Sequence, residues 1–206
     1  MPEAVSHTPD TVPGRWTLIA LCLAALGWPT QAAAQTVSGQ ARVAQTTVVD
    51  LQGTATTVLA DTGTLGDSND ARQASQLTAN IPSVLAGGVL HATTIGWPDR
   101  VASEASLADL ALTVAGNTIG ADFVMARATA VQGAPGAAAV HIDSLSINGI
   151  PIFVSSEPNQ TIPIPGGRMV INEQQQSQTG IRVNALHVIV DGVADVVVGS
   201  AIAGVQ

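Results

Sequence analysis

The chain contains no lysine and no tyrosine, and its one cysteine is Cys22. Without lysine it cannot form a P-loop, a Schiff base or an isopeptide cross-link. A G-x-G-x-x-G fingerprint is missing too, and with it that route to a dinucleotide. Basic residues are scarce, seven against fifteen acids for a formal net charge of −8, and they form no cluster. Nucleic acid is therefore a poor partner, and so is an anionic membrane surface. Charge here serves solubility. No H-E-x-x-H exists, and His91, His141 and His187 lie far apart in sequence, so no metal and no cofactor is expected.

Residues 1–34 read as a segment apart. Arg15 precedes an apolar run of twelve residues, Trp16 to Gly27, and Ala32-Ala33-Ala34 places small residues where a signal peptidase cuts. Twelve residues are too few to span a bilayer. A cleaved signal peptide over 1–34 is expected, leaving residues 35–206 as a secreted, extracellular chain without a transmembrane span. Cys22 sits inside the apolar run behind Leu21, a residue too large for a lipobox, so lipidation is not expected. The mature chain would then have neither disulfide nor thiol chemistry, and its stability must come from packing.

Removing 34 of 206 residues leaves 172, enough for one domain with a sizeable core. Its aromatics are Trp97, Phe123 and Phe153 alone, so Val, Ile, Leu and Ala must fill that core. Losing Arg15, Glu3 and Asp10 leaves six Arg against thirteen acids, net −7.

What the chain does have is strand pattern. In the segment 183–190, Val183, Ala185, His187 and Ile189 share one face, and Asn184, Leu186, Val188 and Val190 the other. Both faces are largely apolar, which predicts a strand in the middle of a sheet, covered on each side. Val193 to Val205 behaves likewise, and Asp191-Gly192 between them is a type I′ hairpin signal. Arg168 to Glu173 predicts a third strand, left through a Gln-rich loop at 174–178. Upstream, Thr36–Asp50 and Thr54–Ala60 suit a β pair turned at Leu51-Gln52-Gly53, followed by turn chemistry over 61–70. Leu77, Ala79 and Ile81 alternate up to Pro82, and Gly87-Gly88 opens a strand over Val89–Ile95. Residues 99–110 are ambiguous: a strand from about Ser106 to Ala115 is preferred, and a short helical segment before it stays open. Gly116-Asn117 is expected to turn into Ile119–Val131. Asn148-Gly149 is the strongest hairpin signal, between Val140–Ile147 and Ile150–Ser155. Pro158, Pro163 and Pro165 mark an edge or a connection. The expected fold is all-β, a single antiparallel β-sandwich domain over 35–206.

Several stretches resemble the choice-of-anchor P family of bacterial exported proteins: DTGTL at 61–65, SEASLADLALTVAGNTIGADFVMARATA at 103–130 and INGI at 147–150. PNQTIPIPGG at 158–167, INEQ at 171–174, VNALHV at 183–188 and DVVVGSA at 195–201 continue it. The resemblance covers about the last 145 residues and implies a surface or secreted β domain, with no known activity and no known site residues. The sequence given ends at Gln206 without a sortase motif or a terminal hydrophobic helix, so attachment to a cell envelope is not expected from it.

Five groups of residues invite chemistry. Asp61-Thr62-Gly63 follows an apolar strand as in aspartic proteases, but that mechanism needs two carboxylates sharing a proton, and one triplet would require a homodimer. Val196-Val197-Val198-Gly199 could stand behind the loop, 136 residues on. The alternative is a β-turn in which Asp61 caps its own backbone and Gly63 takes positive φ. Asp61, Asp67, Asn69 and Asp70 could hold calcium, though their spacing misses the EF-hand pattern. His141 and Asp143 near Ser144 suggest a hydrolase, yet no G-x-S-x-G elbow is present, and a partly exposed ion pair fits better. His187 is expected neutral, bonded to Asn184 or Glu173. Asn159-Gln160-Thr161 fits a glycosylation sequon beside a turn at Pro158.

The expectation is a non-enzymatic extracellular module with a structural or adhesive role. Its catalytic and metal residues would be none, and its binding residues unknown. Expected partners are extracellular matrix or cell-envelope components, or further copies of itself. One alternative is a self-assembling subunit that uses Thr36–Val49 as a free strand to complete a neighbour's sheet. The other is an aspartic-type hydrolase centred on Asp61.

Overall fold

A computed structural model describes residues 36–50 and 53–206. The expected signal peptide and Cys22 lie outside the described residues, as do Leu51 and Gln52 of the first expected turn. The chain runs into a first sheet as β1 (Val37–Asp50) and β2 (Gly53–Asp61). It crosses to a second sheet for β3 (Ala71–Ile81), β4 (Leu85–Trp97), β5 (Arg100–Val114), β6 (Asn117–Val131) and β7 (Ala137–Asp143), then the short β8 (Ser146–Ile147) and β9 (Ile150–Pro151). It returns to the first sheet as β10 (Gln160–Ile164), β11 (Gly167–Gln176), β12 (Gly180–Val190) and β13 (Ala194–Val205). The first sheet is ordered β10-β11-β12-β13-β1-β2, and the second β3-β4-β5-β6-β8-β9 with β7 also on β6. Every pairing is antiparallel, and the two sheets pack face to face as a sandwich.

Turn chemistry places several of the corners. Asn148 and Gly149 both have positive φ, 52° and 77°, as a type I′ hairpin requires. Pro82-Ser83 makes a type II turn, with Ser83 at φ 63° and Val84 N–H donating to Ile81 C=O at 3.0 Å. Pro163 lies in β10, an edge strand where a missing N–H costs no ladder bond.

Other expectations need correction. No helix occurs among the described residues, and 99–110 holds none: β5 runs unbroken from Arg100, because Val101, Ser103, Ala105 and Leu107 alternate inward. At Asp191-Gly192 only Gly192 has positive φ, 71°, so the turn is type II rather than I′. The turn into β6 is Ala115-Gly116, and Asn117 begins the strand, buried. Gly87 and Gly88 do not open β4 but lie inside it, at a register shift against β5. Gln174–Gln176 continue β11 rather than forming a loop. Thr36–Val49 is not a free strand: β1 is hydrogen-bonded to β13 on one side and β2 on the other.

The two apolar faces of β12 and β13 have a cause other than a covering layer on each side. In β12 the buried set is Ile181, Val183 and Ala185, then Leu186, Val188 and Val190: alternation slips by one residue. In β13 Val196 and Val198 give way to Ala201, Ala203 and Val205 across Gly199, which has φ 65°. In β1 the slip is at Val43–Ala44. Asn172 in β11 and Ala60 in β2, at φ 53° and 46°, fall in the same row across the sheet. In β2, β11 and β13 a residue in the left-handed region turns the strand, so alternation resumes one step out of phase, and β1 and β12, which hold no such residue, slip in the same row. The second sheet slips likewise at Asp109, φ 51°, where the inward set passes from Leu107 to Leu110.

The core between the sheets is aliphatic. Its largest fully buried side chains are Leu90, Leu107, Leu112, Ile119, Met169, Ile171 and Leu186, and Phe153 is 83% exposed.

Candidate functional site

The slip shapes the outer face of the first sheet. Where two successive residues point inward, the flanking outward residues stand three apart, about 10 Å instead of about 7 Å along the strand. The outward pairs are Asn184 and His187 in β12, Val197 and Ser200 in β13, and Arg42 and Gln45 in β1. Cross-strand register aligns them into two rows. Glu173, Asn184, Ser200, Arg42 and Asp61 are successive partners in one, and Val170, His187, Val197, Gln45 and Val58 in the other. Between the rows lies a trough at right angles to the strands.

Side chains bridge it at both ends. His187 Nδ1 is 2.9 Å from Glu173 Oε2, its Nε2 is 3.1 Å from Asp195 Oδ1, and Asn184 Nδ2 donates to Glu173 Oε2 at 2.6 Å. His187 thus bonds Glu173 as expected, and not Asn184. Both its ring nitrogens face carboxylates. At the other end Arg42 donates to Asp61 through Nε at 2.9 Å and Nη2 at 2.8 Å, and through Nη1 to Gln45. In the middle, against Asn184, Ser200 and Val197, a cavity of about 250 Å³ stays open, and it extends over the first row to Arg182 and Ile202, the next cross-strand pair. Asn184 is buried, and its Oδ1 has no hydrogen-bond partner among the described residues. Its amide cannot be turned round, because that would set oxygen against the Glu173 carboxylate.

Asp61 ends the first row. Its Oδ1 accepts from Gly63 N–H at 2.8 Å and Gln40 Nε2 at 2.9 Å, while Gly63 takes φ 67°. That is the local cap the turn reading required. Thr62 Oγ1 accepts from Ala41 N–H at 3.0 Å, pinning the loop to β1. Burial raises the Asp61 pKa, but hydrogen bonds from Gln40, Gly63 and Arg42, with the Arg42 charge, outweigh it and hold the carboxyl below its ordinary value. Strand β1 stands between Asp61 and the segment Val196–Gly199.

The other candidates are dispersed. Asp70 accepts from Gly66 N–H and from Arg72 Nε, both at 2.7 Å, which lower its pKa, and Asp67 caps Asn69 N–H at 2.8 Å. Among the described residues no three His, Cys, Asp or Glu gather as a metal would require. His141 Nε2 lies 3.2 Å from Asp143 Oδ1 with both side chains more than half exposed, and the ring packs against Phe123. No hydrogen bond joins Ser144 to His141 among the described residues. His91 pairs with Ser75 Oγ at 2.9 Å on the second sheet. Asn159 Oδ1 accepts from Gln174 N–H at 2.9 Å, so the sequon asparagine holds a backbone amide.

Sequence reasoning named Asn184, Glu173, His187 and Asp61 but missed Arg42, Arg182, Ser200 and Gln45. Their signal is register, which no single strand carries. Comparison with protein-family models, curated proteins and solved structures finds no match among any of the three.

Proposed function

We propose that the chain is a non-enzymatic extracellular module with a structural or adhesive role, partnered by envelope or matrix components. The observation that carries this reading is the state of Asp61. Both its oxygens are committed to Gly63, Gln40 and Arg42, and among the described residues no second carboxylate is bonded to it. A protease pair needs two carboxylates sharing one proton across a water. The cysteine-free aliphatic core and the leader-like residues 1–34 support the same reading, as does the resemblance to choice-of-anchor P proteins. Cosedimentation with cell-wall polysaccharide and capture on immobilised matrix protein test the adhesive role, beside peptide digestion at low pH. Retention on one surface is expected. Peptide cleavage that Asp61→Asn abolishes would overturn the reading. Export has its own check: mass spectrometry of the secreted form should begin at Gln35 or within a residue or two of it.

One observation favours assembly as a second reading. Strand β3 is an eleven-residue sheet edge with one charge, Arg72, and Leu77 on it is 85% exposed. Long, weakly charged edges pair with other chains. Light scattering over a hundredfold concentration range separates the readings, since assembly through β3 raises the mass and Leu77→Lys removes the rise.

A further inference from the structure

The trough across the first sheet holds polar groups that the fold leaves unused. Arg42, the other arginine on its wall, is committed to Asp61 and Gln45. Arg182 differs: it is exposed, lines the cavity, and has no ion pair or side-chain hydrogen bond among the described residues. Two strand positions on, Asn184 offers a buried acceptor, Oδ1, without a donor. Its cross-strand neighbour Ser200 offers a hydroxyl, and Gln45 an amide group on the opposite row. Val197 and Ile202 give the same cavity two apolar surfaces. An unpartnered buried acceptor is costly to leave, and this one lies just beneath the lining of the open space, on a residue that borders it beside an unpaired guanidinium.

We propose that this trough is a binding site for a small hydroxylated carboxylate, the chemistry of a uronic acid. The guanidinium fork matches a carboxylate with two parallel hydrogen bonds. A hydroxyl both donates and accepts, so one hydroxyl can donate to Asn184 Oδ1 while another bonds Ser200 or Gln45. The C–H face of a sugar ring can lie on Val197 and Ile202. Size limits the occupant: a volume of about 250 Å³ is below the 300–1,000 Å³ or so of drug-sized pockets, so a single sugar unit fits and a nucleotide does not. No aromatic side chain lines the cavity, so planar aromatic ligands find no stacking surface. Entry requires the side chains that cover Asn184 Oδ1 to shift aside. The site is independent of the adhesive reading, since it needs neither export nor a surface partner.

Nuclear magnetic resonance titration of the purified chain tests it, with galacturonate, galactose and propionate as probes. Galactose keeps the hydroxyls without the carboxylate, and propionate the carboxylate without the hydroxyls. Galacturonate should give saturable shifts at Arg182, Asn184 and Ser200, with the other two at least tenfold weaker. Arg182→Gln should weaken galacturonate at least tenfold while leaving the melting temperature unchanged, because Arg182 holds nothing else in place. Ser200→Ala should weaken it several-fold. Trigalacturonate bound tighter than the monomer identifies a polysaccharide source, and equal binding identifies the free acid. The proposal is overturned by any of three results: no saturable shift at these residues, galactose binding as well as galacturonate, or Arg182→Gln binding as well as the parent chain.

Discussion

Asp61 joins a loop, a strand and a charge in one small volume. Its Oδ1 caps Gly63, Gln40 bonds both oxygens, and the Arg42 guanidinium lies against Oδ2. Replacing it by alanine removes all of these and leaves a half-buried arginine unpaired, a loss of about 1–3 kcal/mol. Asparagine keeps an acceptor for Gly63 and loses the ion pair, so Asp61→Asn should cost less, about 0.5–1 kcal/mol. Urea midpoints at neutral pH measure both. The pH dependence has a definite sign. The folded pKa lies below the unfolded one, so the stabilisation is present above about pH 4 and lost as pH falls through the folded value. Midpoints of the parent chain should drop between pH 6 and pH 3, and Asp61→Asn should drop less. A parallel fall in both would show that Asp61 carries none of the acid sensitivity.

Each long strand of the first sheet is two half-strands joined out of phase. Gly199 is the residue on which this turns in β13. A Cβ added there would sit 3.1 Å from Ala185 Cβ, and φ 65° disfavours any L side chain. Gly199→Ala should therefore cost about 1–2 kcal/mol from the backbone alone, read as a lower urea midpoint. A change near zero would mean that the strand can straighten at no cost. Leu186, the first inward residue after the slip in β12, is fully buried, and Leu186→Ala should cost about 2–5 kcal/mol. A loss under about 0.5 kcal/mol, the range of surface changes, would contradict its place in the core. Reading β12 as covered on both sides identified Leu186 and Val188 as buried for a different reason from the real one. The outer face of that strand carries Arg182, Asn184 and His187, and the second apolar face was the inward face displaced by one residue.

Seen whole, the described chain closes on itself. Val37 pairs with Val205, and Thr36 and Gln206 exchange backbone hydrogen bonds of 3.2 and 2.9 Å. The earliest described strand is thus inside its sheet, between β13 and β2, and contributes Ala41, Val43 and Ala44 to the core. Local opening begins where backbone bonds face solvent and spreads last to such strands. Amide hydrogens of β12, β13 and the first ten residues of β1 should exchange slowest, and those of edge strands β3 and β10 faster by orders of magnitude. Hydrogen exchange with mass spectrometry reads this directly, and fast exchange across β1 would show that it docks loosely.

The all-β class, the aliphatic core and the corners at Asn148-Gly149 and Pro82 follow from residue chemistry acting over two to eight positions, and the sequence by itself determined them. The same holds for the Asp61 turn, because the carboxylate and the glycine amide it caps lie two residues apart. Strand order, the interior place of β1 and the phase slips were decided only by tertiary structure. Register is a relation between chains distant in sequence: Arg42 stands between Asp61 and Ser200 because β1 pairs with both β2 and β13. The trough belongs to that second class. It exists because slips in neighbouring strands fall in one row, and alignment across a sheet leaves no periodic mark within any single strand.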